Sequence, residues 1–362
     1  MSGNSGNLDL LRACAVLSVY LEHLLSVNGI RHVGPIGISD VSQAGVLIFF
    51  VHTTLVLMLS MERMETANWS IAVPFYVRRA FRIYPLSIFT VIFVVLFSVP
   101  RMPLIDYVWV GWRSFASNLA LAQNLTHSPF VLGPLWSLPL EVQMYIFLPP
   151  LFLLVTRFRG WWVPFALWCG AVGTALLQLH FHTRSWMALG LFAPCFLGGI
   201  IAFVLQQRRS LNLAFWGWPL VIAAAFAIRL IGFKSGWIAC LLLGVAIPQF
   251  REIGHQGLRT ISGWSAKYSY GIYLSHIIIF WYCFVVLQNS AVVTRIGACL
   301  VLSVVCPVVL YHGIEKPLIN VGVHLARRIG QPRGKAGTYT LSPAQPESQL
   351  GADLNYPEAP AP

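Results

Sequence analysis

Ten apolar stretches, each close to the length of a bilayer-crossing helix, account for most of this 362-residue chain. A transmembrane helix needs about 20 mostly apolar residues. The predicted spans are residues 8–30, 43–60, 84–100, 138–156, 161–179, 187–205, 213–231, 235–250, 269–287 and 295–312. Only 10% of the residues are charged and 57% are hydrophobic, which excludes a water-soluble domain. The chain is therefore predicted to be an all-α polytopic membrane protein with about ten transmembrane helices.

The basic residues predict which way the chain crosses the membrane. With the N-terminus in the cytoplasm, seventeen Lys and Arg residues lie on the inner side and six on the outer side. The positive-inside rule then places both termini in the cytoplasm. The net charge of +12 is divided among short clusters between apolar runs, which argues against nucleic acid as a partner.

Two regions do not have the composition of a span. Residues 101–137 are polar and rich in Pro and Gly, and we expect a folded extracytoplasmic loop with a short helix around 107–121. Residues 331–362 are rich in Pro, Gly, Ser, Gln and Ala, and we expect a disordered cytoplasmic tail after an integral-membrane domain of residues 1–330. The chain does not open with the pattern of a cleaved signal peptide, so the first span is expected to remain in the protein.

The first span carries two ionisable side chains on one stripe, Arg12 and His23. They are eleven residues apart, about three helical turns and roughly 16 Å of rise. Ionisable groups inside a span are costly and are therefore functional candidates. Histidine can take up and return a proton near neutral pH. The structural alternative is an arginine that extends to the headgroups and a packed core histidine.

Two further spans carry charged candidates. Arg79 and Arg82, at the inner end of the third span, share a helix face and can bind phosphate oxygens. They can equally be topology signals that contact lipid headgroups. Glu141 lies near the outer start of the fourth span and is expected at the same membrane depth as His23, so it is the expected partner of His23. Tyr145 is expected one helical turn deeper in the membrane. Trp136 and Ser137 immediately precede this span.

The remaining candidates are polar side chains within apolar runs. In the inner half of the ninth span, one polar stripe is predicted, formed by Tyr270, Tyr273 and His276. The two tyrosines can also be explained as anchors at the membrane interface. His52, in the second span, is either a second polar group of the site or a packed core histidine. No His, Cys, Asp or Glu cluster has the spacing of metal ligands, so no metal is expected.

Six segments, in order from Leu8 to Ile319, resemble motifs of the membrane-bound acyltransferase-3 family. They are Leu-Asp-x-Leu-Arg-Ala with His23 following, Gly45-Val46-x-x-Phe49-Phe50-Val51, Arg78-Arg79-x-x-Arg82-Ile83-x-Pro85, Trp136-Ser137-Leu138-x-x-Glu141-x-x-x-Tyr145, Ser269-Tyr270-x-x-Tyr273-Leu274-x-His276 and Glu315-x-Pro317. The second segment departs from the family pattern. The usual Asp is Leu47, the usual Ser-Gly is Thr53-Thr54, and His52 precedes them.

The resemblance implies transfer of an acyl group, acetyl in most members, from cytoplasmic acyl-CoA to a hydroxyl of an extracytoplasmic carbohydrate. The expected acceptor is of the exopolysaccharide, O-antigen or lipo-oligosaccharide type, and the expected location is a bacterial cytoplasmic membrane, among its lipids and with polysaccharide-assembly proteins as candidate partners. Acyl-CoA is a co-substrate, and no bound cofactor is implied.

The resemblance also assigns roles to the candidate residues. Arg12, Arg79 and Arg82 would bind the CoA phosphates, His23 would act as general base, and Glu141 would orient it. An acyl-histidine intermediate is an open alternative. The substrate cavity is expected to include His52, Trp136, Ser137, Tyr145, Tyr270, Tyr273 and His276.

Two other functions are compatible with polar groups in spans. The first is a transporter or flippase for a sugar or a lipid-linked glycan, although neither an inverted repeat nor a matched pair of broken spans is evident in the sequence. The second is a non-catalytic subunit of a polysaccharide-assembly complex.

Overall fold

The computed structural model describes residues 5–64, 69–101, 111–158, 160–181, 188–208 and 211–330. The α-helices in this part of the chain are α1 (Gly6–Val27), α2 (Ile38–Glu62), α3 (Ala72–Phe97), α4 (Gly111–Leu119), α5 (Gln123–Thr126), α6 (Leu138–Phe158), α7 (Trp162–His180), α8 (Ala188–Gln206), α9 (Gly217–Leu230), α10 (Ser235–Ala246), α11 (Gln256–Trp281), α12 (Val292–Leu310) and α13 (Lys316–Gly330). Shorter 3₁₀ segments are Trp69–Ile71, Gly133–Trp136 and Ile247–Gln249, and π-helical turns are Tyr282–Val286 and Tyr311–Glu315. Strands β1 (His32–Val33) and β2 (Ile36–Gly37) form an antiparallel hairpin.

Among the residues that the structure describes, eight helical segments are long and apolar enough to cross a bilayer, which confirms an all-α polytopic membrane protein. A helix satisfies its backbone N–H and C=O groups internally, as an apolar solvent requires. The predicted spans 213–231 and 235–250 form the shorter helices α9 and α10, with 14 and 12 residues. Their helical rise of about 18–21 Å is less than the hydrocarbon thickness of roughly 30 Å.

Two spans begin earlier than predicted. The third helix begins at Ala72 rather than at residue 84, so Arg79 and Arg82 lie within it. The ninth predicted span corresponds to α11, which begins at Gln256 rather than at residue 269. The His255 side chain caps this helix by accepting a hydrogen bond from the Leu258 N–H. Sequence windows chosen for apolar content miss the polar first turns of both helices.

The site lies where α1, α2, α6 and α11 meet. Helices α1 and α11 run side by side in the same direction, since Gly6 lies near Arg259, Arg12 bonds Ser269, and His23 meets His276. Helix α2 is the most enclosed of the candidate spans. Its neighbours are α1, α6, α8, α9 and α10.

The loop of residues 101–137 packs into the helix bundle at its C-terminal end. Its predicted helix around 107–121 corresponds in the described part to Gly111–Leu119, and residues 102–110 lie outside the described residues. The 3₁₀ turn Gly133–Trp136 carries the fully buried Leu135 and leads directly into α6. The predicted tail 331–362 also lies outside the described residues.

Candidate active site

His23 lies one turn from the C-terminal end of α1, and its Nδ1 faces two acceptors. The Val19 carbonyl oxygen is at 2.9 Å and Glu22 Oε2 is at 3.0 Å. Because both groups only accept, Nδ1 must carry the hydrogen, and in the neutral ring Nε2 then carries a lone pair. The His23 side chain is 20% exposed. It is therefore placed to accept a proton through Nε2.

The carboxylate that contacts His23 is Glu22, which the sequence analysis did not select. Ser26 Oγ donates to Glu22 Oε1 at 2.8 Å, and the residue is buried. Adjacent residues on a helix normally point in different directions, so helical spacing gave no reason to pair them. The predicted Glu141–His23 pairing is corrected accordingly.

His276 lies beside His23. The ring centroids are 5.0 Å apart, with an edge-to-face angle of 69°. His276 Nδ1 donates to the Ile272 carbonyl at 3.0 Å, and Nε2 is buried without a hydrogen-bond partner in the described structure. The prediction of an inner-half position is wrong, because α11 begins thirteen residues earlier than expected. Two imidazoles with the same Nδ1 arrangement thus meet near the C-terminal end of α1.

A small apolar cavity, here named the chamber, lies beside Val19, one helical turn before His23 on α1. Its volume is about 40 Å³, and it is bounded by Val19 of α1, Gly45 of α2, Ser137 and Glu141 of the α6 region, and Tyr273 of α11. A site needs roughly 10–15 Å³ of this measure to hold one water. The chamber therefore accommodates a group of a few heavy atoms.

A second cavity, here named the throat, continues from the chamber toward Arg12. It measures about 70 Å³ and shares Phe49, Glu141 and Tyr270 with the chamber. Its polar lining is Arg12, His52, Thr53, Arg79, Arg82, Glu141, Tyr145 and Tyr270. The structure thus gathers the three predicted arginines and His52 around one cavity.

Glu141 belongs electrostatically to the throat. Tyr145 Oη donates to its Oε1, and the carboxylate is attracted by Arg12, Arg79 and Arg82. The residue is buried. A buried carboxylate requires such partners. Glu141 therefore interacts with the arginines of the throat rather than with His23.

The three arginines differ in their partners. Arg82 Nη1 donates to Glu315 Oε2 at 2.8 Å, and Glu315 is almost fully buried. Arg12 Nε donates to Ser269 Oγ at 2.7 Å, with its guanidinium 5.5 Å from the Phe49 ring centroid. Arg79 Nε has no hydrogen-bond partner in the described part of the chain. Arg82 is thus paired directly with a carboxylate, whereas Arg12 and Arg79 are attracted by Glu141 without a hydrogen bond to a carboxylate among the described residues and can bind an anion.

Tyr273 fixes the entrance of α6. Its hydroxyl donates to the Pro134 carbonyl at 2.7 Å and is 2.8 Å from Ser137 Oγ. Trp136 instead packs on Phe192, with centroids 5.6 Å apart, and lines neither the chamber nor the throat. The sequence grouped Trp136 with Ser137, but their side chains point to different surroundings.

His52 is buried and lies against the Phe49 ring, with Nδ1 unpartnered in the described structure. It faces the throat, so it is a second polar group of the site rather than a side chain packed away from it. Among the described residues, no group of three or more His, Cys, Asp or Glu side chains is arranged to hold a metal ion.

Comparison with known families supplies the chemical class. Residues 5–312 match the acyltransferase-3 family model, described as an acyltransferase domain. Neither a curated protein nor a solved structure matches the chain. The match covers every residue of the chamber and all but one of the charged groups around the throat, the exception being Glu315. The chain therefore belongs to the acyltransferase-3 family of membrane acyltransferases.

Proposed function

We propose that this membrane acyltransferase moves an acetyl group from cytoplasmic acetyl-CoA to a hydroxyl of an extracytoplasmic carbohydrate, in the cytoplasmic membrane of a bacterium. The observation that carries the proposal is the pair of adjoining cavities that leads from Arg12 to Val19, one helical turn before His23 on α1. An arginine-lined throat joins an apolar chamber that lies one helical turn from a histidine with an available Nε2. This order suits a donor with an anionic end inside and a thioester that reaches outward.

The chemistry follows from the hydrogen bonds of His23. Its Nε2 takes the proton of the acceptor hydroxyl as the oxygen attacks the thioester carbonyl. The tetrahedral intermediate collapses, the carbon–sulfur bond breaks, and His23 returns the proton to the thiolate. Glu22 stabilises the transient imidazolium through Nδ1, at 3.0 Å. The products are an ester of the acceptor and free CoA.

The size of the chamber supports acetyl as the transferred group. About 40 Å³ between α1, α2, α6 and α11 fits a two-carbon acyl group. A long acyl chain would need the surrounding helices to separate. The buried side chains around the chamber, including Leu138 and Val46, leave little room for that.

The decisive experiment compares glycans from a deletion strain complemented with wild type, His23→Ala or His324→Ala. Mass spectrometry should find the acetyl ester in the wild-type and His324→Ala strains only. His324 is exposed on α13 and serves as the matched control. Normal acetylation with a well-expressed His23→Ala protein would contradict the proposal. Loss of a longer ester would replace acetyl with that group.

A further inference from the structure

A larger cavity, here named the mouth, opens between the N-terminal ends of α1 and α11, which the distribution of Lys and Arg predicts to be cytoplasmic. Its volume is about 650 Å³, within the range typical of small-molecule sites. Its polar lining comprises Asp9, Arg12, Gln256, Arg259, Thr260 and Lys267. Apart from Arg12, none of these residues was a candidate from the sequence.

The mouth carries more positive than negative charge. Arg12, Arg259 and Lys267 face it, and Asp9 is the one carboxylate among its described lining residues. Asp9 is attracted by Arg12 and Arg259. The Lys267 Nζ lies 5.1 Å from the Tyr268 ring centroid, and both Arg259 and Lys267 are exposed. Such a concave group of cations attracts a multiply charged anion.

Arg12 connects the mouth to the site above it. It lines both the mouth and the throat, and the throat in turn shares Glu141 with the chamber. The route from the cytoplasmic surface to His23 therefore passes a wide charged opening, a narrow polar section and a small apolar end.

The dimensions of this route match the donor. Arg12 lies eleven residues before His23, and Lys267 nine residues before His276, which are rises of roughly 16 Å and 14 Å. The pantetheine arm of CoA has about twelve bonds between its phosphate and its sulfur, or roughly 14 Å when extended. A pyrophosphate at Arg12 and Lys267 therefore places the thioester beside His23.

We infer that the mouth binds the nucleotide end of acyl-CoA, with the pyrophosphate near Arg12 and Lys267 and the 3′-phosphate at Arg259. This inference rests on the proposed use of acyl-CoA. The polar lining, with Gln256 and Thr260, suits a nucleotide better than the acyl chains of a phospholipid. It also adds phosphate contacts on α11 to that of Arg12, whereas Arg82 is paired with Glu315.

The test measures CoA binding to the purified full-length protein, by calorimetry and thermal shift in detergent. Exposed charge contacts are individually modest, so Arg259→Ala with Lys267→Ala should raise the Kd for CoA about tenfold. The variant should also flatten the dependence of Kd on salt, since screening weakens only charge interactions. The matched control removes two exposed cations of α13, Arg327→Ala with Arg328→Ala, and should leave the Kd unchanged.

The Asp9→Asn variant should change the Kd for CoA in the opposite direction. Removing the carboxylate of the mouth should tighten CoA binding, whereas damage to the fold would weaken it. Weaker binding by an Asp9→Asn protein whose ligand-free Tm equals that of wild type, or an unchanged Kd in the Arg259→Ala/Lys267→Ala protein, would overturn the inference.

Partial ligands identify the phosphate source. Adenosine 3′,5′-bisphosphate should compete with CoA in wild type and lose affinity in the double variant, whereas pantetheine should be insensitive to it. Competition by phosphatidylglycerol micelles but not by the bisphosphate would assign the mouth to lipid headgroups and overturn the inference. Failure of the wild type to bind CoA at all would contradict the proposed function itself, which distinguishes the two failures.

Discussion

At the scale of single residues, the two acceptors at His23 Nδ1 have different consequences. The Val19 carbonyl fixes the tautomer, because it is part of the α1 backbone and only accepts. Glu22 adds a negative charge at 3.0 Å. The orientation of the ring is thus secured twice, while stabilisation of its cationic form depends on Glu22.

Glu22→Gln should therefore lower kcat about tenfold with an unchanged KM for acetyl-CoA. A lost carboxylate costs about 10⁴-fold where the histidine tautomer is lost with it. Here the Val19 carbonyl retains the tautomer, and the smaller effect reflects the charge alone. Steady-state kinetics on the purified enzyme measure both constants.

The control is Glu62→Gln at the C-terminal end of α2, where the Glu62 carboxylate is exposed and accepts a hydrogen bond from Gln207. It should leave both constants unchanged. A wild-type kcat in Glu22→Gln would show that the carboxylate has no part in the reaction. A raised KM at constant kcat would assign it to binding instead.

At the scale of elements, glycine allows three helices to approach closely. A Cβ at Gly244 of α10 would lie 3.0 Å from the Gly198 carbonyl carbon of α8, and one at Gly199 would lie 2.7 Å from Thr54 Cβ of α2. These separations are too short for ordinary side-chain contact. Close helix packing in membranes depends on such small residues. Helices α8 and α10 thus brace α2, which lines the site.

Gly244→Ala should destabilise the protein by about 1–3 kcal/mol, since backbone atoms must move to admit the methyl group. The matched control is Gly170→Ala on α7, where a Cβ meets nothing within 4 Å. Thermal unfolding in detergent should show a Tm several degrees lower for Gly244→Ala only. Equal Tm values for the two variants would contradict the close α8–α10 contact.

At the scale of the whole molecule, the distribution of Lys and Arg predicts the orientation in the membrane. Lys234, before α10, is expected outside, and Lys316, at the start of α13, inside. Both are exposed in the structure. The proposed path of the acyl group from mouth to His23 requires this orientation.

A cysteine substituted at each of these two positions tests the orientation of the protein in the membrane. In intact cells, a membrane-impermeant maleimide should label Lys234→Cys and leave Lys316→Cys unlabelled until the membrane is permeabilised. The wild-type protein, with its seven native cysteines, provides the background. Labelling of Lys316→Cys in intact cells would reverse the orientation and place the mouth on the outer face.

The sequence by itself determined the helical class, the approximate position of the ten apolar segments and the presence of His23, Arg12 and Arg79 on helix faces. These features depend on local hydropathy and on the 3.6-residue repeat, and lipid requires every spanning backbone to satisfy its own hydrogen bonds. Only the tertiary structure decided which groups meet. The Arg82–Glu315 pair joins residues 233 positions apart. His276 lies beside His23 because α11 begins at Gln256, which places His276 near the C-terminal end of that helix. Such contacts depend on how far each helix is rotated and shifted against its neighbours, and packing between helices fixes this, not spacing within one.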